Sequence, residues 1–93
     1  MPGFVLQARS RSDLEAPRVG FTATKKLGNA VIRNRVKRRL REAARLVMPG
    51  KAVAGHDYVL IGRPAGATRT FADLQKDLET ALKRVHKAPE EVA

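Results

Sequence analysis

The sequence predicts a small α+β domain with the element order β-β-α-β-α. Three observations carry that reading. There are three short β-prone runs, and two longer stretches in which apolar residues return every three or four positions. The length, 93 residues, suits one domain (residues 1–93) with one modest core.

The elements follow in order. Phe4–Arg9 (FVLQAR) is apolar and β-prone, a first strand, and Ser10–Pro17 is polar and turn-rich, a loop. Arg18–Thr24 alternates, with Val19, Phe21 and Ala23 on one face, as a half-buried strand does. Gly28-Asn29 breaks the alternation, and Asn29 is placed to cap a helix. From Ala30 to about Met48 the period becomes helical: Ile32, Val36, Leu40, Ala43 and Val47 fall on one narrow stripe, and Pro49-Gly50 ends it. Asp57–Gly62 (DYVLIG) is a continuous apolar run of the kind found in interior strands, and Gly62–Ala67 is a loop. Thr70-Phe71-Ala72-Asp73 has the form of a capping box, and it opens a second helix on Phe71, Leu74, Leu78, Leu82 and Val85.

Composition narrows the function classes. Nineteen Lys and Arg against nine Asp and Glu give a formal charge of +10 and a pI near 11.2. Such a balance points to a polyanion, nucleic acid first and an anionic membrane surface second. The absence of cysteine excludes disulfides and thiolate chemistry. Two histidines, His56 and His86, are too few for a metal site without carboxylates to complete it. No apolar run approaches the ~20 residues of a membrane span, and the first residues lack the basic-then-apolar pattern of a signal peptide. The expectation is a cytoplasmic, basic domain with no membrane partner.

The charge is concentrated. Residues 25–45 hold nine bases (Lys25, Lys26, Arg33, Arg35, Lys37, Arg38, Arg39, Arg41 and Arg45) and one acid, Glu42. On a helical wheel with Val36 toward the sheet, Asn34, Lys37, Arg38, Arg41 and Arg45 point outward, while Arg33 and Arg39 flank the apolar stripe. Arg33, Lys37 and Arg41 form a ladder on one shoulder; Arg35, Arg38, Arg39 and Arg45 cover the back and the other shoulder. A merely solvated face mixes signs, because each like-charge pair four residues apart costs about 0.2–0.5 kcal/mol. Six of the seven bases within the helix are arginine, whose planar fork grips phosphate. The helix therefore reads as a nucleic-acid contact. Lys25 and Lys26 just before its positive end add to an anion site there, though an ordinary turn with two exposed lysines explains them equally well.

Taken together, the strand RVGFTATKK, the bend GNAV and the Arg-Asn-Arg motif continuing as VKRRLRE closely resemble the bacterial ribonuclease P protein subunit. The DYVLIGRP strand and the last amphipathic helix extend the resemblance over nearly the whole chain. It implies a two-layer α+β sandwich with a left-handed β-α-β crossover, against the usual hand. It also implies a protein that assists a catalytic RNA in removing the 5′ leader of precursor tRNA. Mg²⁺, bound mainly by that RNA, is the implied cofactor, and no protein side chain is catalytic or a metal ligand. Arg33, Asn34, Arg35, Lys37, Arg38, Arg39 and Arg41 correspond to the family's basic motif. The Arg33/Lys37/Arg41 shoulder is expected to line a leader cleft, with Phe4 and Phe21 as candidate cleft aromatics that core packing explains more simply. Arg35, Arg38, Arg39 and Arg45 are expected to face the catalytic RNA. Family members begin with a further helix that carries basic and aromatic residues; here the first residues already read as strand, so that helix is expected to be absent.

Nothing else suggests protein-based chemistry. His56 beside Asp57 invites an acid–base reading, but a surface histidine at the start of a strand is the plainer one. Asp57, Asp73, Asp77 and Glu79 are expected at a strand edge or on an exposed helix side. The alternatives are a small ribosomal-type or assembly RNA-binding protein, and a membrane-surface helix, which the narrow aliphatic stripe without Trp disfavours.

Overall fold

The computed structural model describes residues 1–92, with side chains as far as His86. Its strands are β1 (Phe4–Ser10), β2 (Arg18–Thr22) and β3 (His56–Gly62); its helices are α1 (Ala30–Val47) and α2 (Phe71–Val92). Short 3₁₀ turns at Lys25–Leu27 and Pro64–Ala67 precede the two helices. The order is the expected β-β-α-β-α.

The sheet runs β1-β3-β2, with β3 in the centre as its continuous apolar run requires. β1 pairs with β3 antiparallel, Leu6 opposite Leu60 and Ala8 opposite Tyr58. β2 pairs with β3 parallel, Val19 beside Tyr58 and Phe21 beside Leu60. The parallel pair needs a crossover, and α1 supplies it. Both helices pack on the same face of the sheet, α1 over β2 and β3, α2 over β1 and against α1. The result is two layers with one core between them. Phe4, Tyr58 and Leu60 come from the sheet, Val36 and Leu40 from α1, Leu74 and Leu78 from α2, all at most 1% exposed.

Local chemistry fixes the element ends. The Asn29 side chain accepts the Ile32 N–H at 3.0 Å and starts α1 as its sequence position predicts. Gly28 adopts φ 148°, and a Cβ there would lie 3.1 Å from the Ile32 Cβ, so glycine alone turns the chain into the helix without strain. Thr70 Oγ1 accepts the Asp73 N–H at 3.2 Å, the forward half of the expected capping box. β2 ends two residues before the predicted Thr24. Thr22 pairs with Ile61, and the chain then leaves the sheet into the turn in which the Thr24 carbonyl accepts the Leu27 N–H at 3.0 Å. At Gly62 a Cβ would come within 2.6 Å of Val36 Cγ1, and this lets α1 settle closely on β3.

The Ser10–Pro17 loop is more organised than its composition suggests. The Arg11 side chain, 10% exposed, donates to Asp57 Oδ1 at 2.5 Å, to the His56 carbonyl at 3.2 Å and to the Ala16 carbonyl at 2.9 Å. It also pairs with Asp13 at 3.2 Å, and that guanidinium holds the Asp13 carboxyl below its ordinary range. Asp57, expected at a solvated strand edge, is thus one anchor of a half-buried arginine.

Candidate nucleic-acid interface

α1 is amphipathic in a way that divides its bases among different surroundings. Its apolar stripe buries Val36, Leu40, Ala43, Ala44 and Val47, leaving three sectors of polar residues. On the shoulder toward β2 lie Arg33 and Lys37, half-buried, and Arg41, exposed. Along the back, Asn34, Arg35 and Arg38 are exposed and make no side-chain hydrogen bond to another described residue. On the shoulder toward α2 stands Arg39. Lys25 and Lys26 are exposed in the turn ahead of the helix.

The β2-side shoulder overlooks an open groove of about 560 Å³. Val19 and Phe21 of β2 form one wall, Ala44 of α1 and the capping Met48 the other, and Pro49, Gly50 and Ala52 close its far end. The lining is mostly carbon, with Arg41 and Arg45 as its charged groups. The Arg41 guanidinium carbon lies 5.6 Å from the centre of the Phe21 ring, within cation–π range. Phe21 is therefore half-buried in a place where a flat apolar ligand can reach it, beside a fixed positive charge. That arrangement accommodates a base and its phosphate together.

The structure gives four of these residues surroundings that the sequence did not predict. Phe4 is 1% exposed in the core cluster, so it offers no surface to a cleft; its place on the inner face of β1 beneath the helices decides this. Arg39 does not stand free on the back of the helix. Its Nη2 donates to the Arg69 carbonyl, tying α1 to the segment before α2. Arg45 turns to the groove side, where it pairs with Glu42 one helical turn earlier, Nε to Oε2 at 3.1 Å. That guanidinium holds the Glu42 carboxyl below the usual range. Asp77 likewise is not a solvated acid. Arg69 Nε reaches its Oδ2 at 2.6 Å, and the Asp77 side chain is 15% exposed.

His56 and His86 meet, which their sequence separation does not suggest. Their rings lie edge-on 5.2 Å apart, and Tyr58 Oη sits 2.6 Å from His86 Nε2. Burial chiefly, and then the neighbouring His56, push the His86 imidazole below its ordinary range. His56 Nδ1 lies 3.1 Å from the Ala54 carbonyl, and as donor it is committed there rather than aimed at a substrate space. Among the described residues no three His, Asp or Glu side chains gather as a metal-binding group, and no helix is long and apolar enough to cross a membrane.

Comparison with known proteins adds the family. Residues 1–86 match the model of the Ribonuclease P family. The ribonuclease P protein component of Ruegeria pomeroyi is 58% identical over 85 residues, covering 88% of this chain and 68% of that protein. The component from Gluconacetobacter diazotrophicus is 54% identical over 83 residues, covering 89% and 72%. Among solved structures, the RNase P protein of Staphylococcus aureus superposes with a TM-score of 0.73 at 33% identity, over 91% of this chain and 76% of that one. The RNase P protein from Thermotoga maritima gives 0.73 at 30% identity, over 88% and 76%.

Proposed function

The chain belongs to the bacterial ribonuclease P protein family, a subunit of the RNA-based endoribonuclease that matures tRNA 5′ ends, and from that premise we propose how its surfaces divide the work. The back of α1, Arg35 and Arg38 with Asn34, grips the phosphates of the catalytic RNA. The opposite shoulder, Arg33, Lys37 and Arg41, follows the single-stranded 5′ leader of precursor tRNA, with one leader base against Phe21 in the groove. Lys25 and Lys26 extend this positive track beyond the start of the helix.

The observation that carries this reading is the pairing of Arg41 with Phe21 at the rim of an apolar groove, in line with Arg33 and Lys37. Single strands are held by this combination, because stacking accepts any base while the charges track the backbone. Arginine forks suit phosphate oxygens. Holding both RNAs from one rigid helix fixes the scissile bond relative to the catalytic RNA and removes orientational freedom before the reaction. The protein's cations also screen phosphate repulsion that Mg²⁺ otherwise offsets. In this reading the whole chain is one cytoplasmic RNA-binding domain, the Mg²⁺ of the reaction is held mainly by the RNA, and no side chain takes part in bond cleavage.

Precursor-tRNA cleavage by a bacterial ribonuclease P RNA at low Mg²⁺, with and without the protein, tests the proposal. Cleavage is expected to be restored by the protein, and the gain to shrink when the leader is cut to one nucleotide. Equal rates with and without protein contradict the subunit role. An equal gain for long and short leaders contradicts the leader groove and leaves only the contact with the catalytic RNA.

A further inference from the structure

We propose that the Tyr58–His86 hydrogen bond is a proton-operated latch: proton uptake by His86 releases residues 51–54, the loop that continues from the end wall of the groove. Tyr58, 1% exposed, accepts the Val53 N–H at 2.9 Å through its hydroxyl oxygen. The hydroxyl carries one proton, and the remaining neighbour is His86 Nε2 at 2.6 Å. The arrangement that satisfies every group has Tyr58 donating to Nε2, with His86 neutral and its proton on Nδ1. A doubly protonated His86 can only donate to the Tyr58 oxygen. The buried hydroxyl proton then has no acceptor among the described residues, and either the ring turns away or the hydroxyl gives up its place.

The loop depends on these groups. The start of the loop is held by the Lys51 and Ala52 N–H groups on the Met48 carbonyl, both at 2.9 Å, and by Lys51 near Glu79 of α2 at 3.9 Å. Its far half is held by the Val53 N–H on Tyr58 and the Ala54 carbonyl on His56, and both of these lead to the His56–Tyr58–His86 cluster. Ala52 of this stretch lines the groove beside Met48, Pro49 and Gly50, which lead into it, so the loop joins the groove to the cluster. Among the described residues, the ionisable groups around His86 are Tyr58 and His56 from β3, Lys51 from the loop, and Glu79 and Lys83 from α2. Burial first, and then His56, oppose a proton on His86. The unlatched state thus binds the proton more readily than the latched one. The latch is complete above the ordinary histidine range and is lost as the pH falls through the lowered folded value.

This inference does not depend on what the groove binds. Nuclear magnetic resonance on the whole chain between pH 8 and 5 (about the histidine range) tests it, following His86 ring nitrogens and hydrogen exchange at the Val53 amide. The expected result is an unprotonated Nε2 at the upper pH, and Val53 protection that falls about ten-fold, after correction for intrinsic exchange, with the midpoint of His86. Tyr58→Phe, a near-isosteric change, should leave Val53 weakly protected at every pH. His56→Gln should keep the step and raise its midpoint. A proton on Nε2 at the upper pH overturns the latch, as does titration of His86 without change at Val53. Loss of the step in His56→Gln would assign it to the wrong histidine.

Discussion

α1 and α2 cover the same face of one sheet, and each buries a single apolar stripe, yet their outer faces are built on opposite terms. α1 carries seven bases and one acid, whereas α2 as far as His86 carries Lys76, Lys83 and Arg84 against Asp73, Asp77 and Glu79. The acids of α2 are employed within the fold, Asp77 on Arg69 and Glu79 on Lys51. α1 instead keeps like charges four residues apart, each pair costing about 0.2–0.5 kcal/mol. Folding is served by the stripes, which the two helices share. The charge is a separate property, and the proposed RNA contact would supply its counter-charge. Within α1 the same distinction recurs: Arg39 and Arg45 are tied to the protein, while Arg35 and Arg38 make no side-chain bond to another described residue.

The largest expected effect tests what the helices share. Leu40→Ala and Leu78→Ala each remove a side chain at most 1% exposed, and each should lower stability by about 3 kcal/mol in urea unfolding. A cost below ~1 kcal/mol at either site would show that this helix is not part of the common core. A smaller effect sharpens the division inside α1. Arg39→Gln should lose about 1–2 kcal/mol of stability with its bond to the Arg69 carbonyl, leaving the salt dependence of RNA binding unchanged. Unchanged unfolding together with a shallower salt dependence would return Arg39 to the RNA face.

What was legible in the sequence was whatever repeats along one element. The stripe Val36, Leu40, Ala43, Val47 announces α1 and its buried side, and Asn29 announces its start. The alternation of Val19 and Phe21 places both on the inner face. What was not legible depends on where other elements carry a side chain. Arg39 and Arg35 look alike on a wheel, but only Arg39 points at the Arg69 carbonyl, 30 residues away. Arg11 reads as a loop cation until β3 brings Asp57 to it. His86 looks unremarkable until α2 lays it on Tyr58. Phe4 and Phe21 have equal claims on an aromatic cleft from sequence alone; both lie on edge strands, but Phe4 is covered in the core and Phe21 lines the groove.

The central claim, that RNA is held by α1 and not by the equally accessible bases of α2, is tested most directly by salt slopes. Affinity for the catalytic RNA is measured against salt for the parent chain, for Arg35→Gln/Arg38→Gln and for Lys76→Gln/Lys83→Gln. The α1 pair should flatten the log–log slope by about two units, nearly one per lost phosphate contact, while the α2 pair leaves it unchanged. Equal losses from the two pairs, or a loss confined to the α2 pair, would contradict the account.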